Sequence, residues 1–212
     1  PERESYADVV LHNRLKEAIL QLNPSIPEEA RQDAFNQVLR ISSPDLLVNN
    51  EAFHKMLTEG VKVSYRKDGV SRGDLVWLVD FDNAENNEFV VANQFTVIED
   101  NHTKRPDVIL FINGLPLVVI ELKNAVDENA TVKSAFKQLQ TYKATIPSLF
   151  TYNSLCVISD GLEAKSGSLS AGFSRFMSWK TKDGITTASH LDSEMEVLSQ
   201  GQLNKKTLID II

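Results

Sequence analysis

Residues 105–123 read Arg-Pro-Asp-Val-Ile-Leu-Phe-Ile-Asn-Gly-Leu-Pro-Leu-Val-Val-Ile-Glu-Leu-Lys. Two almost wholly apolar runs, 105–112 and 115–122, flank Asn113-Gly114. An Asn-Gly pair between β-forming runs marks a hairpin, because both residues of the tight turn need positive φ. Strands that are apolar throughout, and not on alternate residues, must be covered on both faces. The hairpin therefore belongs inside a sheet with other layers packed on it.

Three ionisable residues interrupt this apolar hairpin. Asp107 lies near the start of the first run, and Glu121 and Lys123 lie at the end of the second. Charges in such strands are costly unless paired or metal-bound. Glu121 and Lys123 are two apart and share a face. A two-residue turn would pair Ile112 with Leu115 and set Asp107 opposite Ile120, with Glu121 on the other face. A three-residue loop, or a bulge, sets Asp107 opposite Glu121. Pro116, which cannot donate to the ladder, argues for the odd-length arrangement. Two carboxylates and an ammonium at one point suit phosphodiester hydrolysis. The acids hold Mg²⁺ through oxygen, with the Leu122 carbonyl as a further ligand, and the lysine orients water or offsets phosphate charge. An Asp–Lys–Glu ion-pair cluster at a sheet end is the alternative.

The rest of the chain supplies the layers. Helical periodicity runs over 5–22, 28–40 and 45–59, the last stopped by Gly60. Strand patterns follow at 61–65, 74–81 and 88–98, then a helix over 129–145 and a final buried strand over 154–159. Residues 166–174 read as a small-residue loop, and 191–198 and 203–212 as helices. The apolar, uncapped end 208–212 reads as a cut within a longer protein. This divides the chain into an N-terminal helical region (1–60), a core (61–165) and a C-terminal extension (166–212). No apolar run reaches the roughly 18 residues of a membrane span. The single cysteine, Cys156, precludes an internal disulfide and favours the cytoplasm. Lysine and arginine number 22 and the acids 29, a net charge of −7 that does not suit a broad nucleic-acid surface.

The pattern Pro106-Asp107 followed by Glu121-Leu122-Lys123 matches that of PD-(D/E)XK nucleases. From Leu22-Asn23-Pro24 through Gln94-Phe95-Thr96-Val97 to Asn113-Gly114-Leu115-Pro116-Leu117-Val118, the chain resembles the N-terminal nuclease domain of type I restriction enzyme R (motor) subunits. The resemblance covers about residues 5–180. It implies an α/β fold, a mixed central sheet flanked by helices in a restriction-endonuclease-like core with an N-terminal helical extension. It further implies Mg²⁺-dependent cleavage of double-stranded DNA, with Asp107 and Glu121 as metal ligands and Lys123 as the catalytic lysine. RecB-like relatives carry Gln-x-x-x-Tyr on the next helix, here Gln138 to Tyr142, which implies a role in placing the nucleic acid or the lysine. On a helix of 3.6 residues per turn these two are neighbours, on a flank of the apolar stripe.

Such R subunits are ATP-driven translocases working with methyltransferase and specificity subunits. No Gly-x-x-x-x-Gly-Lys-Ser/Thr occurs here, so ATP would bind only elsewhere in a full-length subunit. A stand-alone nuclease and a non-catalytic assembly module of the same fold are the rival readings. An acid from the first helix, Asp8 or Glu17, is a further candidate for the site. Asp80-Phe81-Asp82 reads as turn chemistry, His12, His54, His102 and His190 as ordinary surface or core residues, and Cys156 as core. Lys104, Arg105, Lys123, Lys133 and Lys137 form a local basic set around the proposed centre.

Overall fold

The computed structural model describes residues 2–124 and 131–212. Helices α1 (His12–Leu22), α2 (Glu28–Leu39) and α3 (Leu46–Glu59) come first. Asp45 caps α3 by accepting the Leu47 amide at 2.8 Å, and Gly60, at φ 80°, ends it. The expected helix over 5–22 begins only at His12. Val9, Val10 and Leu11 are all buried in succession, which no single helix face allows. Residues 2–11 instead form an arm bonded to the core. The Tyr6 carbonyl accepts the Ile98 amide at 2.9 Å, and the Leu11 amide donates to the Gly114 carbonyl at 2.9 Å.

Strands β1 (Val61–Lys67) and β2 (Val70–Val76) pair antiparallel, Val61 opposite Val76. The run expected as one strand over 74–81 stops at Val76. Beyond it the buried Asn23 side chain accepts the Trp77 amide and donates to its carbonyl, both at 2.8 Å. One amide side chain thus stands in for a partner strand.

The run over 88–98 is likewise split, into β3 (Phe89–Asn93) and β4 (Val97–Glu99), by Gln94 at φ 52°. Then come β5 (His102–Lys104), β6 (Val108–Ile112), β7 (Leu115–Leu122), α4 (Val132–Thr145), α5 (Pro147–Thr151), β8 (Leu155–Ser159), β9 (Ala164–Gly167), α6 (Glu194–Gly201) and α7 (Lys205–Ile211). The start of the helix expected over 129–145 lies partly outside the described residues. Strand β9 was not foreseen. It turns back on β8 through Asp160-Gly161 and takes up the first residues of the expected 166–174 loop. Helix α6 starts three residues later than its pattern, leaving Leu191 exposed.

The central sheet is mixed, in the order β3-β6-β7-β8-β9, with β7 and β8 parallel and the other pairs antiparallel. Strands β4 and β5 form a separate hairpin. Strand β7 lies at the centre, buried from Leu115 to Glu121, as its unbroken apolar run requires. Each buried Val, Leu or Ile there contributes about 1.5–3 kcal/mol. Buried apolar residues from Val9 to Ile209 join one cluster. No helix among the described residues is long and apolar enough to cross a membrane.

The β6–β7 register resolves the alternatives left open by the sequence. The turn has two residues, Asn113 (φ 52°) and Gly114 (φ 79°), with Ile112 opposite Leu115. The three-residue loop is not formed. Phe111 then pairs with Pro116 but Leu110 with Val118, so Leu117 is an extra residue on β7. This bulge follows directly on Pro116, which has no N–H for a regular ladder. It shifts the register by one, so that Val108 faces Ile120 and Asp107 stands opposite Glu121.

Candidate active site

Three ionisable groups meet where β6 begins and β7 ends. The Lys123 amide donates to the Ser159 carbonyl at 2.8 Å, which prolongs the β7–β8 line beyond Leu122. Alternation then puts Glu121 and Lys123 on one face, and Lys123 Nζ donates to Glu121 Oε1 at 2.7 Å. Across the hairpin, Asp107 Oδ2 accepts the Leu122 amide at 2.8 Å.

Glu121 is 3% exposed, and its Oε2 has no partner at hydrogen-bonding distance and angle among the described residues. Burial pushes its carboxyl above the ordinary glutamate range, and the Asp107 charge adds to this. The Lys123 ammonium and the Tyr142 hydroxyl pull the other way without reversing it. The Tyr142 phenol is itself buried. Burial, then the charges of Glu121 and Asp107, push its pKa up, so the hydroxyl keeps its proton. The Gln138 side chain interacts with that hydroxyl. Helical spacing predicts Gln138 and Tyr142 on the flank of the α4 stripe. Gln138 is half-buried there, whereas Tyr142 turns inward, 5% exposed. Asp107, Glu121, Lys123, Gln138 and Tyr142 therefore form one neighbourhood.

Neither candidate from the start of the chain makes a hydrogen bond or ion pair to these groups among the described residues. Asp8 lies in the arm and accepts the Ser5 amide at 2.9 Å, and Glu17 is exposed on α1. Asp80 accepts the Asp82 and Asn83 amides and the Asn86 side chain, as turn chemistry predicts. Cys156 is fully buried, and burial pushes its thiol up to about 11, as for a core residue. Among the described residues, no group of three or more His, Cys, Asp or Glu could hold a metal. A cation here would rely on two carboxylates, backbone carbonyls and water. Lys104, Arg105, Lys133 and Lys137 make no ion pair among the described residues, and β5 packs beside α4.

One residue in contact with the site was not foreseen there. Gln94 Nε2 donates to Asp107 Oδ1 at 2.9 Å. Its tetrad Gln-Phe-Thr-Val carried the family resemblance, but an uncharged amide gives no chemical signal of its own. Gln94 holds a left-handed backbone, which costs a non-glycine residue on the order of 1–3 kcal/mol.

Residues 1–175 match the family model described as Type I restriction enzyme R protein N terminus. The chain is 42% identical over 213 residues to the type I restriction enzyme HindI endonuclease subunit of Haemophilus influenzae. That alignment covers 99% of this chain and 20% of the relative. It is 37% identical over 216 residues to a Methanocaldococcus jannaschii protein provisionally named as the type I restriction enzyme MjaIXP endonuclease subunit, covering 100% of this chain and 21% of that protein. The chain thus spans about a fifth of the length of these curated relatives. With its mixed sheet and its match over most of its length, the chain belongs to the family of type I restriction enzyme R subunit N-terminal regions.

Proposed function

We propose that this region hydrolyses phosphodiester bonds of double-stranded DNA with Mg²⁺, as the cutting module of a type I restriction R subunit. In this reading the remainder of the subunit binds ATP and drives translocation. The assembly is cytoplasmic and includes methyltransferase and specificity subunits. The observation that carries the reading is the buried Glu121 carboxylate, whose Oε2 makes no well-formed hydrogen bond among the described residues although the Tyr142 hydroxyl is near, beside a second carboxylate and an ammonium. A purely structural ion pair has no reason to leave a buried carboxylate oxygen unsatisfied, because that costs stability. A cation would satisfy it.

The oxygen donors fit a hard cation. Asp107 and Glu121 would hold it, with the Leu122 carbonyl as a further ligand. When bound, Mg²⁺ supplies polarisation of a phosphoryl oxygen and acidification of a coordinated water. The chain's own groups do the rest. Lys123, held by Glu121, orients the attacking water or offsets charge growing on the phosphate. Tyr142 keeps its proton and, with Gln138, steadies Glu121 from the α4 side.

The test has two arms. The full-length subunit in its complex cleaves DNA with Mg²⁺ and not with chelator. The chain is also stabilised by Mg²⁺, by about 2.7 kcal/mol at 100 times the dissociation constant. Glu121→Gln removes that stabilisation. The same substitution raises the melting temperature of the metal-free chain at neutral pH. Glu121's folded pKa lies above its unfolded value of 4.5, so its favourable contribution is present below that pH and lost as pH rises. Cleavage in chelator, or Mg²⁺ stabilisation that survives Glu121→Gln, would contradict the proposal.

The net charge of −7 sets a second expectation. The chain alone binds duplex DNA with a dissociation constant weaker than about 10⁻⁵ M at physiological salt, without sequence preference. Lys104, Arg105, Lys133 and Lys137 make what binding there is strongly salt-dependent. Tight, salt-insensitive binding to one sequence would place recognition in this region.

A further inference from the structure

We infer that Gln94 is a positioning residue for Asp107, and that the N-terminal arm holds it in place. This rests on the metal-dependent nuclease reading above. Gln94 grips Asp107 twice. Its amide N–H donates to the Asp107 carbonyl at 2.7 Å, and its side-chain Nε2 donates to Asp107 Oδ1 at 2.9 Å. The Leu122 amide binds the other carboxylate oxygen at 2.8 Å. One donor on each oxygen stops rotation of the carboxylate. Further lone pairs remain on both oxygens, since an ionised carboxylate offers about four acceptor sites. That arrangement suits a group that must present oxygen to a cation in one orientation.

Gln94 can make both bonds because its backbone sits at φ 52°, and that conformation is imposed from the next residues. The Phe95 amide donates to the Pro106 carbonyl at 3.2 Å, and the Phe95 ring is buried against Phe111 with centroids 5.2 Å apart. The Arg3 guanidinium lies over the Phe95 ring at 3.8 Å from its centroid and donates to the Thr96 carbonyl. Tyr6 binds Ile98 through the backbone. The arm thus clamps the segment 95–98 from which Gln94 reaches Asp107. A surface glutamine with no role has no reason to occupy a disfavoured conformation and spend its side chain on a carboxylate.

The experiment uses the full-length subunit in its complex and compares Gln94→Met, which keeps the length and removes the donor, with Asp107→Ala. Ca²⁺ or Mn²⁺ binding is measured by calorimetry, and cleavage against Mg²⁺ concentration. Gln94→Met weakens cation binding and raises the Mg²⁺ needed for half-maximal cleavage by about 10–100-fold, the usual effect of losing a group that orients a metal ligand. The KM for DNA and the melting temperature stay unchanged, and excess Mg²⁺ restores cleavage. In an Asp107→Ala background, Gln94→Met has no further effect on cation binding. Unchanged cation binding in Gln94→Met, with Asp107→Ala inactive, would overturn the role of Gln94 and leave the nuclease reading standing. Cation binding and cleavage that survive Asp107→Ala would overturn both. If Gln94→Met does not fold, Gln94→Ala, which removes the donor without adding a charge or a cation ligand, carries the same expectations.

Discussion

Asp107→Ala or Lys123→Ala abolishes DNA cleavage by the assembled complex, a loss of at least 10²–10³-fold, while ATP hydrolysis and translocation persist. The magnitude is that of removing one group that stabilises developing charge in a site sheltered from water. Asp107 is only partly buried, so its removal spares the fold. Lys123→Ala is harsher, because it leaves the buried Glu121 charge without its ammonium partner, a change that costs about 3–5 kcal/mol for a fully buried pair. Lys123 is itself 28% exposed, which reduces that cost. Melting temperature is therefore measured alongside activity, and Asp107→Asn, which keeps the shape and changes only the charge, serves as the milder companion. In the proposed reading, ATP hydrolysis and translocation belong to the rest of the subunit; the chain spans about a fifth of the length of its relatives. Loss of ATPase activity in a folded Asp107→Ala variant would show that cutting and movement are not separable.

The parts of this site that could be read from sequence are those written in local chemistry. Asn113-Gly114 marks the turn, the apolar runs mark a buried central hairpin, and residue spacing puts Glu121 and Lys123 on one face. What could not be read depends on contacts between distant segments. Asp107 meets Glu121 only because Leu117 bulges. Turn type and bulge each change the register by one residue, and a single such step flips a side chain to the other face. Residues 5–11 carry a helical period, but Tyr6 and Leu11 are bonded to Ile98 and Gly114, which tertiary pairing alone decides. Trp77 ends a strand-like run because Asn23, fifty-four positions earlier, occupies its backbone. Gln94 escaped notice for the same reason, since its function is defined by the carboxylate it touches.

Gly114→Ala strongly destabilises the protein. Gly114 has φ 79°, and a Cβ there would stand 2.6 Å from the Leu11 carbonyl oxygen, 2.9 Å from the Leu15 amide nitrogen and 3.1 Å from Arg14 Cβ. The first two are backbone atoms and cannot turn aside. The left-handed conformation costs an alanine about 1–2 kcal/mol, and forcing an extra methyl into a packed contact adds about 1–3 kcal/mol. For a chain of this size the sum lowers the melting temperature by roughly 4–20 °C. Gly69→Ala separates the two causes. Gly69 has nearly the same φ, 77°, but nothing lies within 4 Å of its added Cβ, so that variant meets only the conformational cost. The difference between the two measures how closely the turn is packed against the start of α1. Gly114→Ala also weakens cleavage and Gly69→Ala does not. The Gly114 carbonyl anchors Leu11 at the end of the arm, the arm clamps residues 95–98, and these directly follow the glutamine that holds Asp107. Equal melting temperatures for the two variants would mean that the arm yields freely at the turn. The path from turn to carboxylate would then carry no constraint.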